Sequence, residues 1–263
     1  MAILPFLEQS TLYQGINQST SIFALENTTI HTFRIATYAC PSDPSAWQVQ
    51  TLAPGELVPM SPDPSSGTWR MTPTSYAGAT GSIDVVGLAA FYPGCSVPSR
   101  VRGQCDGIFA DAVTVRPGDV TDGLSTTLLY GEKAITTFAQ GGSGGSVPTQ
   151  HGWWVSGNFD DSLFSAFYAP NAGRKVSAYG DLARYRSASS LHPGGVQVAM
   201  ADGSVGQVAD TVATWPFDGL TGQPVGATLD LDPLAHPQSL ATPGDPERGR
   251  SRECGVLISA TWV

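Results

Sequence analysis

The sequence predicts an α+β fold that is mainly β: an antiparallel sheet, a short N-terminal helix and long loop-rich insertions. Three observations carry this. Thirty Gly and twenty Pro in 263 residues imply many turns and few long helices. Several short segments alternate apolar and polar residues and end at Asp-Gly or Pro-rich corners. Residues 4–16 carry an apolar stripe at helical spacing.

Within 4–16 (LPFLEQSTLYQGI), Pro5 suits a first helical turn, and Leu4, Leu7, Leu12 and Ile16 form the stripe. FRIATYAC (33–40) alternates like a strand and stops at CPSDPS, a tight turn. Residues 41–75 hold seven of the twenty prolines and show little periodicity, so they read as an insertion. SYAGATGS (75–82) reads as extended and GIFADAVTV (107–115) as a strand. TDGLSTTLLYGEK (121–133) reads as a turn followed by a strand. GGSGGS (141–146) is a flexible loop, and HGWWVSG (151–157) opens a buried aromatic stretch. In SLHPGGVQVAMADGSVGQV (190–208), Val196, Val198 and Met200 share one face of a strand. Asp202-Gly203 turns it into a second strand, 205–208. Residues 219–254 are again Pro/Gly/Asp-rich and read as a second insertion, before a closing strand in GVLISATWV (255–263). The chain is expected to be a single head domain, 1–263.

Charged residues are only 13% and lysine is confined to Lys133 and Lys175. A net charge of −9 argues against a nucleic-acid footprint, which needs a basic face. No stretch reaches the ~18 apolar residues of a membrane helix. Met1 leads straight into AILPFLEQ, which reads as the middle of a domain and suggests a missing upstream segment.

None of the four cysteines, Cys40, Cys95, Cys105 and Cys254, forms a CxxC pair, which argues against zinc on that spacing. Cys95 and Cys105 flank a short turn-rich loop that a disulfide would close. Cys40 would then pair with Cys254, although three pairings are open to four cysteines. The Ser/Thr/Gly-rich, low-lysine composition points towards an oxidising compartment.

His192 and Asp202 invite a metal or catalytic reading. Turn chemistry accounts for both HPGG and ADGS, however, and is the preferred reading. A strand of five residues spans ~17 Å, so the two side chains are expected at opposite ends of it. Ser143 in GGSGG fits G-x-S-x-G, but no helix-forming run follows it, and nothing fixes it against His151 or His192.

Taken in order, ILPFLEQSTLY, CPSDP, SYAG, DVTDGLSTTLLYGE, GWW and SLHPGGVQVAMADGSV resemble one bacterial family. Its domain of unknown function stands behind a prepilin-type cleavage and methylation helix, and a His-x9-Asp-Gly motif lies near its C-terminal end. Here that motif is His192 with Asp202 and Gly203. The resemblance spans residues 3 to about 208. It implies a pilin- or pseudopilin-like head, extracytoplasmic, with an antiparallel sheet, working in a surface filament or type II secretion-like assembly. Its partners would be other pilin-like subunits or the secretion machinery, with surface glycans as a further partner. Contact with the membrane would run only through an N-terminal helix that these residues lack.

Some pseudopilin heads are calcium-stabilised, which makes Asp122, Asp160, Asp161, Asp230 and Asp232 candidate ligands. Calcium takes 6–8 oxygens from flexible loops, and no EF-hand spacing occurs here. The aromatics Trp153, Trp154, Phe159, Phe164, Phe167 and Tyr168 suit either a sugar platform or a core; core is the commoner use. The expected function is therefore assembly and adhesion rather than catalysis, with a secreted hydrolase or carbohydrate-binding module as the runner-up.

Overall fold

A computed structural model of the chain describes residues 1–52, 69–86, 95–96, 106–109, 114–139, 152–157, 161–175, 181–214, 216, 228–231, 252–253 and 256–259. The fold is mixed α+β with mostly β content and few short helices. The strands are β1 (Gln50–Leu52), β2 (Trp69–Met71), β3 (Tyr76–Ala79), β4 (Ile83–Val86), β5 (Cys95–Ser96) and β6 (Leu128–Glu132). They continue as β7 (Leu163–Phe164), β8 (Gly195–Met200), β9 (Val205–Ala209), β10 (Thr228–Leu231), β11 (Arg252–Glu253) and β12 (Val256–Ser259).

The main sheet has the order β7-β3-β6-β8-β9 and is antiparallel except where β7 runs parallel to β3. β1 pairs with β2, β10-β12-β4 forms a three-stranded antiparallel sheet, and β11 pairs in parallel with β5. Both segments read as loop-rich insertions, 41–75 and 219–254, thus contribute strands.

The main sheet buries Ala77, Ala79, Phe164, Val196 and Val198 on one face, with Met200 and Val208 packed against them. This is the alternation read in VQVAM. An irregularity between Leu128 and Tyr130 breaks the pleat of β6. Leu128 therefore joins the core face, while Tyr130 pairs with Ala199 and Glu132 pairs with Tyr76 on the other face. A second core gathers Leu4, Leu12, Ile30, Ile35, Met71 and Trp153 beneath the N-terminal segment.

One expectation is refined, one is corrected and one is only partly described. Residues 4–16 form a 3-10 turn, Leu4–Leu7, and a separate α-helical turn, Ser10–Gln14. Glu8 divides them with a left-handed φ of 61°. FRIATYAC is not a strand: Ala36–Tyr38 is a 3-10 turn, although Ile35 and Ala39 are buried as the alternation suggested. GIFADAVTV is described only at 107–109 and 114–115: residues 107–108 bend, the Phe109 N–H donates to the Ala79 carbonyl at 3.2 Å, and 110–113, the centre of the expected strand, lie outside the described residues.

The hairpin at Asp202-Gly203 forms as expected, by its own turn chemistry. Gly203 N–H donates to the Met200 carbonyl, and Gly203 alone takes a positive φ, 87°. Met200 N–H closes the hairpin on the Ser204 carbonyl at 2.8 Å, the pattern of a type I turn followed by a left-handed residue.

Candidate functional site

Four segments separated in sequence meet on the Tyr76–Glu132 face of the main sheet. Cys40 comes from CPSDP, Tyr76 from SYAG, Glu132 from LLYGE and His192 from LHPGG. Cys40 Sγ lies 3.5 Å from His192 Nε2 and 3.7 Å from Glu132 Oε1. His192 Nε2 lies 3.3 Å from Glu132 Oε1. Cys40 and Glu132 are buried, and the His192 side chain is 36% exposed, so the cluster opens to solvent on the histidine side.

Each ligand-type atom is held by its own scaffold. The Cys40 carbonyl accepts from Asp43 N–H at 3.0 Å and from Trp47 Nε1–H at 3.3 Å. Asp43 is itself buried. Its carboxylate accepts from Ile135 N–H at 2.6 Å, from Thr136 N–H at 3.2 Å and from the Ser75 hydroxyl at 3.3 Å. CPSDP is therefore a clamp that docks Cys40 against the strand end after Glu132. Glu132 Oε2 accepts the Gln197 N–H at 2.9 Å, which leaves Oε1 facing the thiol and the imidazole. Upstream of His192, Ser190 is fixed by Asn171 Oδ1 and Arg174 Nη2, and its hydroxyl accepts His192 N–H at 3.0 Å.

Tyr76 is the fourth member. Burial raises its hydroxyl above the usual tyrosine range, and negative charge on Cys40 and Glu132 pushes the same way. Behind it, burial and then Tyr130 push Tyr38 up to about 12. Both phenols remain protonated over the physiological range.

The cluster is not a nucleophilic triad. Such a triad needs the carboxylate on one imidazole nitrogen and the nucleophile on the other. Here Sγ and Oε1 both face Nε2. Three atoms converging on a common centre is instead the arrangement of ligands around an ion. Among the described residues, Cys40, Glu132 and His192 are a group of side chains close enough together to hold a metal ion.

The family question is decided at this point, because a family model described as a protein of unknown function (DUF1559; SBP_bac_10) matches residues 1–214. The chain belongs to the DUF1559 family. No curated protein and no solved structure matches it. The DUF1559 match covers every residue of the cluster and the hairpin that carries the His-x9-Asp-Gly motif.

Within this DUF1559 chain the motif's two ends do different work. His192 enters the cluster. Asp202 sits at the exposed hairpin tip, where Oδ1 accepts Ser204 N–H at 2.9 Å and the Ser204 hydroxyl at 2.6 Å. Those bonds hold the Asp202 carboxyl below the usual carboxylate range. The turn reading holds for Asp202 and Gly203; for His192 it is incomplete, because the ring meets Cys40 and Glu132.

Cys40 is a free, buried thiol, and its expected partner Cys254 lies outside the described residues. Cys105, Cys254 and the side chain of Cys95 lie outside the described residues, as do Ser143 and His151. Of the proposed calcium ligands, Asp160, Asp232 and the side chain of Asp230 also lie outside them. Asp161 is buried, and its Oδ1 accepts Gly152 N–H at 2.8 Å and Trp153 N–H at 3.3 Å. Asp122 stands in an exposed turn, where Thr121 donates to it at 3.3 Å. Trp153, Trp154, Phe164, Phe167 and Tyr168 are all buried, so these aromatics serve the core; Phe159 is outside the described residues. Sequence reading missed Glu132 and Cys40 as partners of His192. The available signal was that each stands in one of the segments carrying the family resemblance.

Proposed function

We propose that this chain is an extracytoplasmic, pilin- or pseudopilin-like subunit whose work is assembly and adhesion. Membership of DUF1559 over residues 1–214 and the mainly β, largely antiparallel fold agree with that reading. The observation that carries it is the apolar exposure of the N-terminal segment. Phe6 is 86% exposed, and Ile3 and Met1 are 44% and 41% exposed. Beside them lies a cleft of about 250 Å³ lined by Met1, Tyr13, Ile16 and Ile22 among others. Clustered apolar exposure with an adjoining cleft marks an association surface. Its occupants in this reading are neighbouring copies of the same chain, as a filament requires. No helix of the described residues is long and apolar enough to cross a membrane.

Sedimentation over a concentration series tests the proposal with the wild type and Phe6→Glu. The wild type is expected to self-associate and Phe6→Glu to stay monomeric at the same concentrations. The substitution lies on an exposed side chain, so the fold is expected to stay intact, which circular dichroism checks. A wild type that stays monomeric throughout, or a variant that associates equally well, overturns the reading.

A further inference from the structure

We propose that Cys40, Glu132 and His192 form a binding site for a borderline-soft divalent transition metal, zinc above all. This goes beyond the assembly reading and does not rest on it. The argument is geometric. Tetrahedral zinc has bonds of ~2.3 Å to sulfur and ~2.0 Å to nitrogen or oxygen. The edges of that tetrahedron are then about 3.5 Å from sulfur to either lighter ligand and about 3.3 Å from nitrogen to oxygen. The cluster has 3.5 Å for Sγ–Nε2, 3.7 Å for Sγ–Oε1 and 3.3 Å for Nε2–Oε1. All three edges match one face of a zinc tetrahedron.

The donor set selects the same ion. Thiolate, imidazole and carboxylate together suit zinc and its transition-metal neighbours, whereas calcium takes oxygens alone. The outer contacts are of the kind that orient ligands. Gln197 N–H holds the far carboxylate oxygen of Glu132, and Asp43 N–H and the Trp47 indole fix the Cys40 backbone. The His192 side chain is partly exposed, so water or a donor from another molecule has access to complete the shell.

Zinc takes cysteine as the thiolate and histidine through an unprotonated ring nitrogen, here Nε2, so binding and proton release are coupled. The three ligands stand far apart in the chain: Cys40 is 92 residues from Glu132 and 152 from His192. An ion that binds all three binds the folded state alone, so it ties the N-terminal segment to the sheet.

The experiment uses the purified full chain with its thiols reduced. Zinc is titrated in competition with a chromogenic chelator, and cobalt(II) is used in parallel as a spectroscopic stand-in. The wild type is expected to take up one equivalent and to show the sulfur-to-cobalt charge-transfer band of a tetrahedral site. Cys40→Ser and His192→Gln are expected to bind at least ~100-fold more weakly and to lose that band. Cys254→Ser is expected to keep both. Saturating zinc is expected to raise the thermal midpoint of the wild type by several degrees and to leave His192→Gln unmoved. His192 is partly exposed, so its variant keeps the fold, checked by circular dichroism. Absence of stoichiometric uptake by the wild type overturns the proposal. So does uptake that survives both Cys40→Ser and His192→Gln, since the ion then sits elsewhere.

Discussion

Glu132 and Lys133 are neighbours in the chain, and their side chains leave it on opposite sides. Glu132 Oε1 stands 3.3 Å from His192 Nε2. Lys133 is fully buried, and its Nζ donates to the Leu163 carbonyl at 2.7 Å and the Asp161 carbonyl at 3.2 Å. Its ammonium also lies 5.8 Å from the centre of the Phe138 ring. The end of β6 thus supplies the cluster on one face and locks the β7 connection on the other.

Lys133→Ala should therefore destabilise the protein strongly. It takes the donor from the buried Asp161 carbonyl and the partly buried Leu163 carbonyl and opens a cavity beside Phe138. Each unmet polar group costs about 1–3 kcal/mol, so a loss of roughly 3–5 kcal/mol is expected. Lys133→Met, which keeps the volume, should lose less. Urea denaturation of both variants measures the difference, and a Lys133→Ala midpoint equal to wild type would contradict this account.

A pH dependence follows from His31. The ring is fully buried, stacks on Trp69 at 5.5 Å, and its Nε2–H donates to the Ile22 carbonyl at 2.7 Å. Nδ1 is buried with no partner, so a second proton there has no acceptor. Burial lowers its pKa, and the bond to Ile22 only partly opposes this. The native state then binds fewer protons than the unfolded state, whose histidine titrates near about 6.5. Stability is full above that value and falls as pH drops from it towards the depressed native value. Urea midpoints between pH 7.5 and pH 5 should fall less for His31→Gln than for the wild type. Equal slopes would remove His31 as the cause.

Two glycines of the β8–β9 hairpin separate backbone strain from space. Gly203 has a φ of 87° with nothing within 4 Å of an added Cβ; Gly206 in β9 has the same open space and no positive φ. Gly203→Ala should cost about 1 kcal/mol through the left-handed conformation alone. Gly206→Ala should be neutral or slightly stabilising, because it only restricts the unfolded chain. Thermal midpoints of the two variants decide it, and a harmless Gly203→Ala would show that the turn relaxes to another type.

Local features were legible because local chemistry specifies them. The Val196, Val198 and Met200 face, the strand after TDGLSTT and the buried GWW segment each follow from a short pattern of residues and turns. FRIATYAC shows the limit of such patterns. Its apolar alternation does bury Ile35 and Ala39, but a strand also needs a neighbour's ladder. This stretch instead turns at Ala36–Tyr38 and shares one backbone bond, from Ser75 N–H to the Tyr38 carbonyl at 2.7 Å. The irregularity in β6 was invisible for a related reason. Only pairing with β8 decides that Leu128 joins the core while Tyr130 and Glu132 face away from it.

The sequence by itself determined the mainly β class, the DUF1559-like order of segments and the hairpin at Asp202-Gly203. Interactions within a few residues and the overall apolar pattern are enough for those. Only the tertiary structure decided that a cysteine, a glutamate and a histidine meet within 3.7 Å of one another. Contacts across 92 and 152 residues have no local signature. They exist because the Asp43 clamp, the register of β3 on β6 and the loop before β8 each fix one side chain, and the packed sheet brings the three together.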